Sequence, residues 1–153
     1  MSALNEEELK MFVDSVRRYF VKTTASEPKI TAAFLGTEKI ESYDFTGVVT
    51  FSGTYQGQVM VSMPSQLLRE LLLIQHETDT SDDNMLDTVG EIANTLAGNA
   101  RKVFGNGLLI SVPIKMKGKS GARASMRKHP YVITLNWSHQ PAMVYVDMER
   151  KRQ

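Results

Sequence analysis

The residues best suited to chemistry are three polar side chains that a helix would carry on one stripe. At about 100° per residue, Glu91 lies about 40° from Asp87, Asn94 lies about 20° to the other side, and Gly98 falls between them. Carboxylates can pair with a cation. A carboxamide can accept a hydrogen bond from a water molecule with its oxygen while its NH₂ group donates another. These groups, called the polar stripe below (Asp87, Glu91, Asn94), are therefore suited to positioning a water molecule beside a charged partner.

The opposite face of the same segment is apolar, so the pattern predicts an amphipathic helix. We expect it to span 82–104 and to end at Gly105 and Gly107. Its buried face is expected to contain Met85, Val89, Ile92, Leu96, Ala100 and Val103. Gly98 costs helix stability, about 1 kcal/mol relative to Ala, but leaves room for another molecule to approach. An exposed Asp, Glu and Asn stripe is also what an ordinary amphipathic helix shows to water, so the spacing alone specifies no function.

The sequence around the stripe is more specific. Asp87 and the run Val89–Arg101, VGEIANTLAGNAR, resemble the active-site helix of the CheC, CheX and FliY phosphatases, and the CheX branch most of all. These proteins remove phosphate from the chemotaxis response regulator CheY. CheC and FliY carry two copies of the Glu-x-x-Asn helix, whereas the helix at 67–75 has Glu70 followed by Leu73 three residues later. A single copy agrees with CheX and argues against CheC.

The resemblance implies that Asn94 and Glu91 are the catalytic residues. Asn94 would orient the water that attacks the aspartyl phosphate, in a reaction that depends mainly on positioning and electrostatics. Glu91 would stay clear of the phosphoryl group, which it would repel, and would pair with a lysine of the regulator. We expect Asp87, Gly98 and Arg101 to belong to the partner-binding surface. No metal site or cofactor is expected in this chain, since the Mg²⁺ is supplied by the regulator.

The rest of the chain predicts one two-layer α+β domain over 1–153, with long helices on a mostly antiparallel sheet. Two further helices are expected, one capped by Asn5 and fading at 23–26, the other opened by Pro64. The buried face of the second helix would include Leu67, Leu68, Leu71, Leu72 and Ile74. Strands are expected at 29–35, 46–52, 58–63, 108–116, 131–137 and 142–148.

Composition limits the function classes. A net charge of +1 gives no general attraction to nucleic acid or anionic lipid, and the absence of cysteine excludes thiolate chemistry. No apolar run is long enough to span a bilayer, and the acidic N-terminus differs from a signal peptide, so we expect a cytoplasmic protein. His76, His129 and His139 are scattered, with no serine or acid placed as in a hydrolytic triad.

Two features leave alternatives open. Residues 115–129 contain lysines and arginines but no acid, with glycines and serines between them. This basic run is interpreted as a mobile solvated loop, a docking site for an acidic regulator, or a nucleic-acid contact. Pro113 lies nineteen residues after Asn94, closer than the family's proline usually does, so its match to that proline requires a shorter turn between helix and strand.

We therefore interpret the chain as a CheX-type phosphatase that hydrolyses the aspartyl phosphate of a CheY-like regulator, in chemotaxis or another two-component pathway. The resemblance also implies a homodimer. From the charge and hydropathy of the chain, we expect neither nucleic acid nor membrane as a partner. The alternative is a non-catalytic module of the same fold that docks a signalling protein. The two differ at Asn94, because replacing a group that acts in the transition state abolishes turnover and leaves docking intact.

Overall fold

The computed structural model describes residues 4–36, 42–118 and 130–151. Within these residues the chain forms three helices and seven strands. The helices are α1 (Glu6–Thr24), α2 (Ser65–Ile74) and α3 (Asp82–Phe104). The strands are β1 (Lys29–Leu35), β2 (Phe45–Gly53), β3 (Tyr55–Met63), β4 (Leu108–Ile110), β5 (Ile114–Lys117), β6 (Tyr131–Trp137) and β7 (Gln140–Arg150).

The seven strands form one sheet in the order β1-β6-β7-β3-β2-β4, and β5 pairs with β2 beside β4. Each pair of described strands is antiparallel. Two hairpins form the centre of the sheet, β2 with β3 and β6 with β7. The second hairpin turns at Ser138 and His139, whose φ angles of 52° and 62° supply the left-handed conformation that a two-residue hairpin turn requires.

The three helices pack on one face of this sheet. Alternate strand residues such as Val49 and Val144 join Phe12, Leu68 and Leu96 of the helices in the main core. Strand neighbours of the opposite orientation form a smaller cluster on the other face: Val48, Met60, Val132 and Tyr145. The two-layer α+β fold with an antiparallel sheet is thereby confirmed.

Helix α3 begins and ends where its local sequence predicts. The Ser81 hydroxyl accepts a hydrogen bond from the Asn84 backbone N–H at 3.3 Å, which satisfies one free N–H of the first turn. Asp82 in the first turn and Lys102 in the last complement the helix dipole. Gly105 ends the helix at φ 99°, a conformation that favours glycine. The predicted span 82–104 is confirmed.

A glycine in β2 determines how closely α3 lies on the sheet. A Cβ atom built on Gly47 would lie 2.6 Å from the backbone oxygen of Val89 and 3.1 Å from the Cα of Gly90. Only a residue without a side chain fits there, so α3 and β2 are in direct backbone contact. This contact lies one residue before Glu91 and holds the polar stripe at a defined height above the sheet.

The single strand predicted at 108–116 is wrong, because the structure divides it into β4 and β5. Between them, the Ser111 hydroxyl accepts the Thr50 backbone N–H at 2.9 Å, and the Ser111 N–H donates to the Thr50 carbonyl at 3.0 Å. The Ser111 hydroxyl thus takes the place of a backbone carbonyl as the hydrogen-bond acceptor for Thr50. Pro113, which has no N–H, cannot continue the ladder beyond it.

Two residues expected on buried helix faces are exposed. Val103 is 60% exposed because the core continues at the last turn of α3 through Phe104, which packs on Phe12 and Tyr55 with ring centroids 6.4 and 4.9 Å away. Ile74 is 44% exposed. It lies about 90° from the centre of the stripe formed by the buried leucines of α2, which turns it away from the core.

Candidate functional site

The site is built on α3, whose apolar face is buried and whose polar stripe is not. Val89, Ile92 and Leu96 are at most 2% exposed, whereas Asp87, Glu91 and Asn94 are exposed. Residues three and four apart on a helix have Cβ atoms about 5–6 Å apart. Glu91 and Asn94 are therefore neighbours on one rigid surface, with their carboxylate and carboxamide groups free to meet a partner.

Gly98 extends this surface by one turn. A Cβ atom built on Gly98 would find no heavy atom within 4 Å. The helix therefore presents bare backbone beside Asn94, and a partner could approach there without displacing any described side chain. Arg101 is exposed in the last turn of the same helix, about 10 Å from Asn94 along the axis at 1.5 Å per residue.

Asp87 is held by a lysine of β5. The Lys115 Nζ donates to Asp87 Oδ1 at 2.6 Å, between side chains that are 40% and 60% exposed. Lys117, two residues further along β5, pairs in the same way with Asp82. The hydrogen bond to Asp82 and the negative charge of that carboxylate raise the pKa of Lys117 above its usual value. Both pairs are exposed to solvent, which weakens each of them. Together they tie β5 to the first two turns of α3.

Lys115 and Lys117 thus lie in a strand, and their assignment to a mobile basic loop is wrong. The backbone of both lysines pairs with β2, and their side chains pair with two carboxylates of α3. The charge pattern of the sequence revealed neither the strand pairing nor the ion pairs. The remainder of the basic run at 119–129, including the cations at 123, 127 and 128, lies outside the described residues.

Pro113 lies beside the site helix. A Cβ atom built on Gly90 would lie 2.9 Å from Cδ of Lys115 and 3.5 Å from Cβ of Pro113. Gly90, the residue directly before Glu91, therefore leaves room for Pro113 and Lys115 to pack against the helix. The match of Pro113 to the family's proline stays a prediction.

Tyr19 of α1 approaches Glu91 from the other side, a neighbour that sequence reasoning missed. Burial raises the pKa of the Tyr19 hydroxyl to about 12, a hydrogen bond with Thr23 opposes the shift, and the negative charge of Glu91 adds to it. Tyr19 belongs to the apolar face of α1 and packs against the core, so the sequence pattern gives no sign that it lies near Glu91. The antiparallel packing of α1 on α3, marked by the 2.7 Å hydrogen bond from Asn99 to Ser15, brings it to the site.

The structure thus brings Asp87, Glu91, Asn94 and Gly98 together on one exposed face, with Arg101 further along. Their roles stay predictions. In the described part of the chain, no group of three or more His, Asp or Glu residues is arranged to hold a metal ion. None of the described helices is both long and apolar enough to cross a membrane.

Comparison with solved structures gives the same fold throughout. A CheC-like superfamily protein from Shewanella sp. PV-4 superimposes with a TM-score of 0.79 and 20% identity over 95% of this chain and 99% of that one. The chemotaxis protein CheX from Vibrio vulnificus gives 0.77 and 17% over 94% and 99%. The CheX-CheY-BeF3-Mg²⁺ complex from Borrelia burgdorferi gives 0.77 and 15% over 94% and 98%.

Among curated protein sequences, none matches this chain significantly. The model of the family "Chemotaxis phosphatase CheX" matches residues 45–136, which include β2, α3 and the polar stripe. That match covers more than half of the chain. On this evidence, together with a fold shared over nearly the whole length of the structural relatives, the chain belongs to the CheX family of chemotaxis phosphatases.

Proposed function

We propose that this protein is a phosphatase that hydrolyses the aspartyl phosphate of a CheY-like response regulator. The observation that carries the proposal is the pairing of Glu91 and Asn94, exposed and one turn apart on a helix whose other face is buried. Membership of the CheX family supports the reaction class. The solved CheX-CheY complex of the same fold supports a regulator as the partner.

In this reaction Asn94 orients the nucleophile. Its Oδ1 accepts a hydrogen bond from a water molecule and its Nδ2 donates to a neighbouring oxygen, which fixes the water in line with the scissile bond. The water oxygen bonds to phosphorus as the bond from phosphorus to the aspartyl oxygen breaks. Inorganic phosphate and the free aspartate carboxylate are the products. The exposed position of Asn94 is needed because the reacting group belongs to another protein.

Glu91 serves to align the partner. No described residue forms an ion pair with its carboxylate, so the charge is available to a lysine of the regulator. A paired carboxylate repels the phosphoryl group less than a free one, because the two charges of the pair largely cancel at a distance. The Mg²⁺ that neutralises phosphoryl charge belongs to the substrate, and this chain supplies no ligand to it.

We also infer from the family that the protein acts as a homodimer in the cytoplasm, where its regulator is found. Asp87 contributes by fixing the first turns of α3 through Lys115, and Gly98 and Arg101 contribute to the contact surface. Nucleic acid and membrane are not partners in this proposal.

The test is the decay of a phosphorylated CheY-like regulator, alone and with catalytic amounts of wild type, Asn94→Ala or Glu91→Gln. We expect wild type to accelerate decay and Asn94→Ala to reduce kcat by at least about 100-fold while retaining the regulator, since a positioned group acts mainly in the transition state. Glu91→Gln removes only the charge and should raise KM. Asn106→Ala and Glu77→Gln, exposed residues outside α3, are the matched controls. No acceleration with wild type would favour the non-catalytic docking module, and acceleration that survives Asn94→Ala would exclude Asn94 as the catalytic residue.

A further inference from the structure

A groove runs between α1 and α3 immediately beside the polar stripe. It has a volume of about 700 Å³ and opens to solvent. Its walls include four cationic side chains, Arg17, Arg18, Lys22 and Lys102, and one acid, Glu27. This basic groove (Arg17, Arg18, Lys22, Lys102) is a local feature, because the chain as a whole carries a net charge of only +1.

The cations of the basic groove are largely uncompensated. Arg17 pairs loosely with Asp14 on α1, 3.7 Å away. Arg18, Lys22 and Lys102 form no ion pair with any described residue and are exposed. Like charges held together in a concave surface give a positive potential that attracts a negatively charged partner and repels a positively charged one.

The basic groove begins where the candidate site ends. Thr95, which follows Asn94 and lies one turn beyond Glu91, forms part of its wall. Tyr19 lines the same groove and lies near enough to Glu91 for that carboxylate to raise its pKa. A protein whose phosphoaspartate reaches Asn94 would therefore lie next to the groove.

We infer that the basic groove receives an acidic segment of the docked response regulator, an inference that rests on the proposed function. A phosphoaspartate site that binds Mg²⁺ needs carboxylate ligands, so the regulator's surface around it is rich in negative charge. Such a segment, lying over Arg18, Lys22 and Lys102, steers the encounter within about a Debye length, ~8–10 Å. The open shape of the groove fits a protein surface better than an enclosed small ligand.

The test compares two double variants with the same change in net charge. Arg18→Glu/Lys22→Glu reverses the groove, and Lys10→Glu/Arg69→Glu reverses two exposed cations outside it. We expect the groove variant to raise KM by about tenfold at low salt with kcat unchanged, and the control variant to stay near wild type. Raising the salt from about 0.05 M to about 0.5 M should shrink the difference, because screening weakens exposed charge pairs.

Binding measured without turnover separates this inference from the proposed function. The probe is the same regulator loaded with beryllofluoride and Mg²⁺, titrated with wild type and both double variants, each checked for folding by circular dichroism. Weaker binding of the groove variant alone supports the inference, whether or not wild type accelerates hydrolysis. Equal affinity of the two double variants overturns the groove inference while leaving a phosphatase dependent on Asn94 intact.

Discussion

Replacing Gly98 by Ala should stabilise the protein, although glycine is the residue that the family pattern places there. Gly98 lies in the interior of α3 with an ordinary helical backbone, and an added Cβ would meet nothing within 4 Å. The substitution therefore brings the full gain in helix propensity, about 0.8–1 kcal/mol. For a protein of this size that raises Tm by about 2–4 °C.

Gly105 supplies a control with the opposite sign. An added Cβ there would also find open space, but its backbone has φ 99° and ψ 172°. That region is accessible almost only to glycine, so Gly105→Ala should cost about 1–3 kcal/mol. The two substitutions add the same methyl group to the same helix or its end, and only the backbone conformation differs.

Urea denaturation and thermal unfolding followed by circular dichroism measure both effects. Gly98→Ala at or below wild-type stability would refute the argument, because it would mean that the open face is occupied in the folded protein, for instance by a second copy. The same surface can be tested for docking with Gly98→Leu. We expect that variant to remain folded and to lose about tenfold or more in kcat/KM, and an unchanged kcat/KM would exclude Gly98 from the contact with the regulator.

The other two predictions concern packing and pH. Gly47→Ala should destabilise the fold by about 1–3 kcal/mol, since its Cβ would lie 2.6 Å from the Val89 backbone oxygen. Gly90→Ala is the milder control, because its Cβ displaces only the flexible stem of Lys115. Equal urea midpoints for the two variants would contradict this prediction. Tyr19 holds its proton to about pH 12 when folded, against about 10 when unfolded. Its stabilising contribution is therefore complete below about pH 10 and is lost as the pH rises toward 12. Tyr19→Phe should flatten the decline in unfolding free energy across that window, and parallel curves would refute the assignment.

Local signals predicted the site helix well. The apolar face and Gly105 define which way α3 faces and where it ends, and both signals act within the helix itself. The exposed positions of Glu91 and Asn94 follow from the same periodicity. Signals of this kind need no knowledge of the rest of the fold, which is why the structure agrees with them.

What failed depended on contacts between distant segments. The lysines of β5 were predicted to lie in a solvated loop because their partners, Asp82 and Asp87, lie about thirty residues away in sequence. Tyr19 does pack against the core, as its place on the apolar face of α1 indicates, but its nearness to Glu91 depends on how α1 docks on α3. Neither relation leaves a periodic trace in the sequence. The break at Ser111 and Pro113 was visible as a proline, but its position depended on the register with β2.

The charges around α3 explain how an acidic stripe can meet a phosphorylated protein. Asp87, the first acid of the stripe, is neutralised by Lys115, and Asp82 before it by Lys117. Beside the polar stripe, the basic groove adds a patch of positive charge. Of the two acids in the polar stripe, Glu91 alone has no cation among the described residues. Within the polar stripe, unpaired negative charge therefore lies at Glu91, the residue proposed to meet a lysine of the regulator, and its neighbour Asn94 carries a neutral carboxamide.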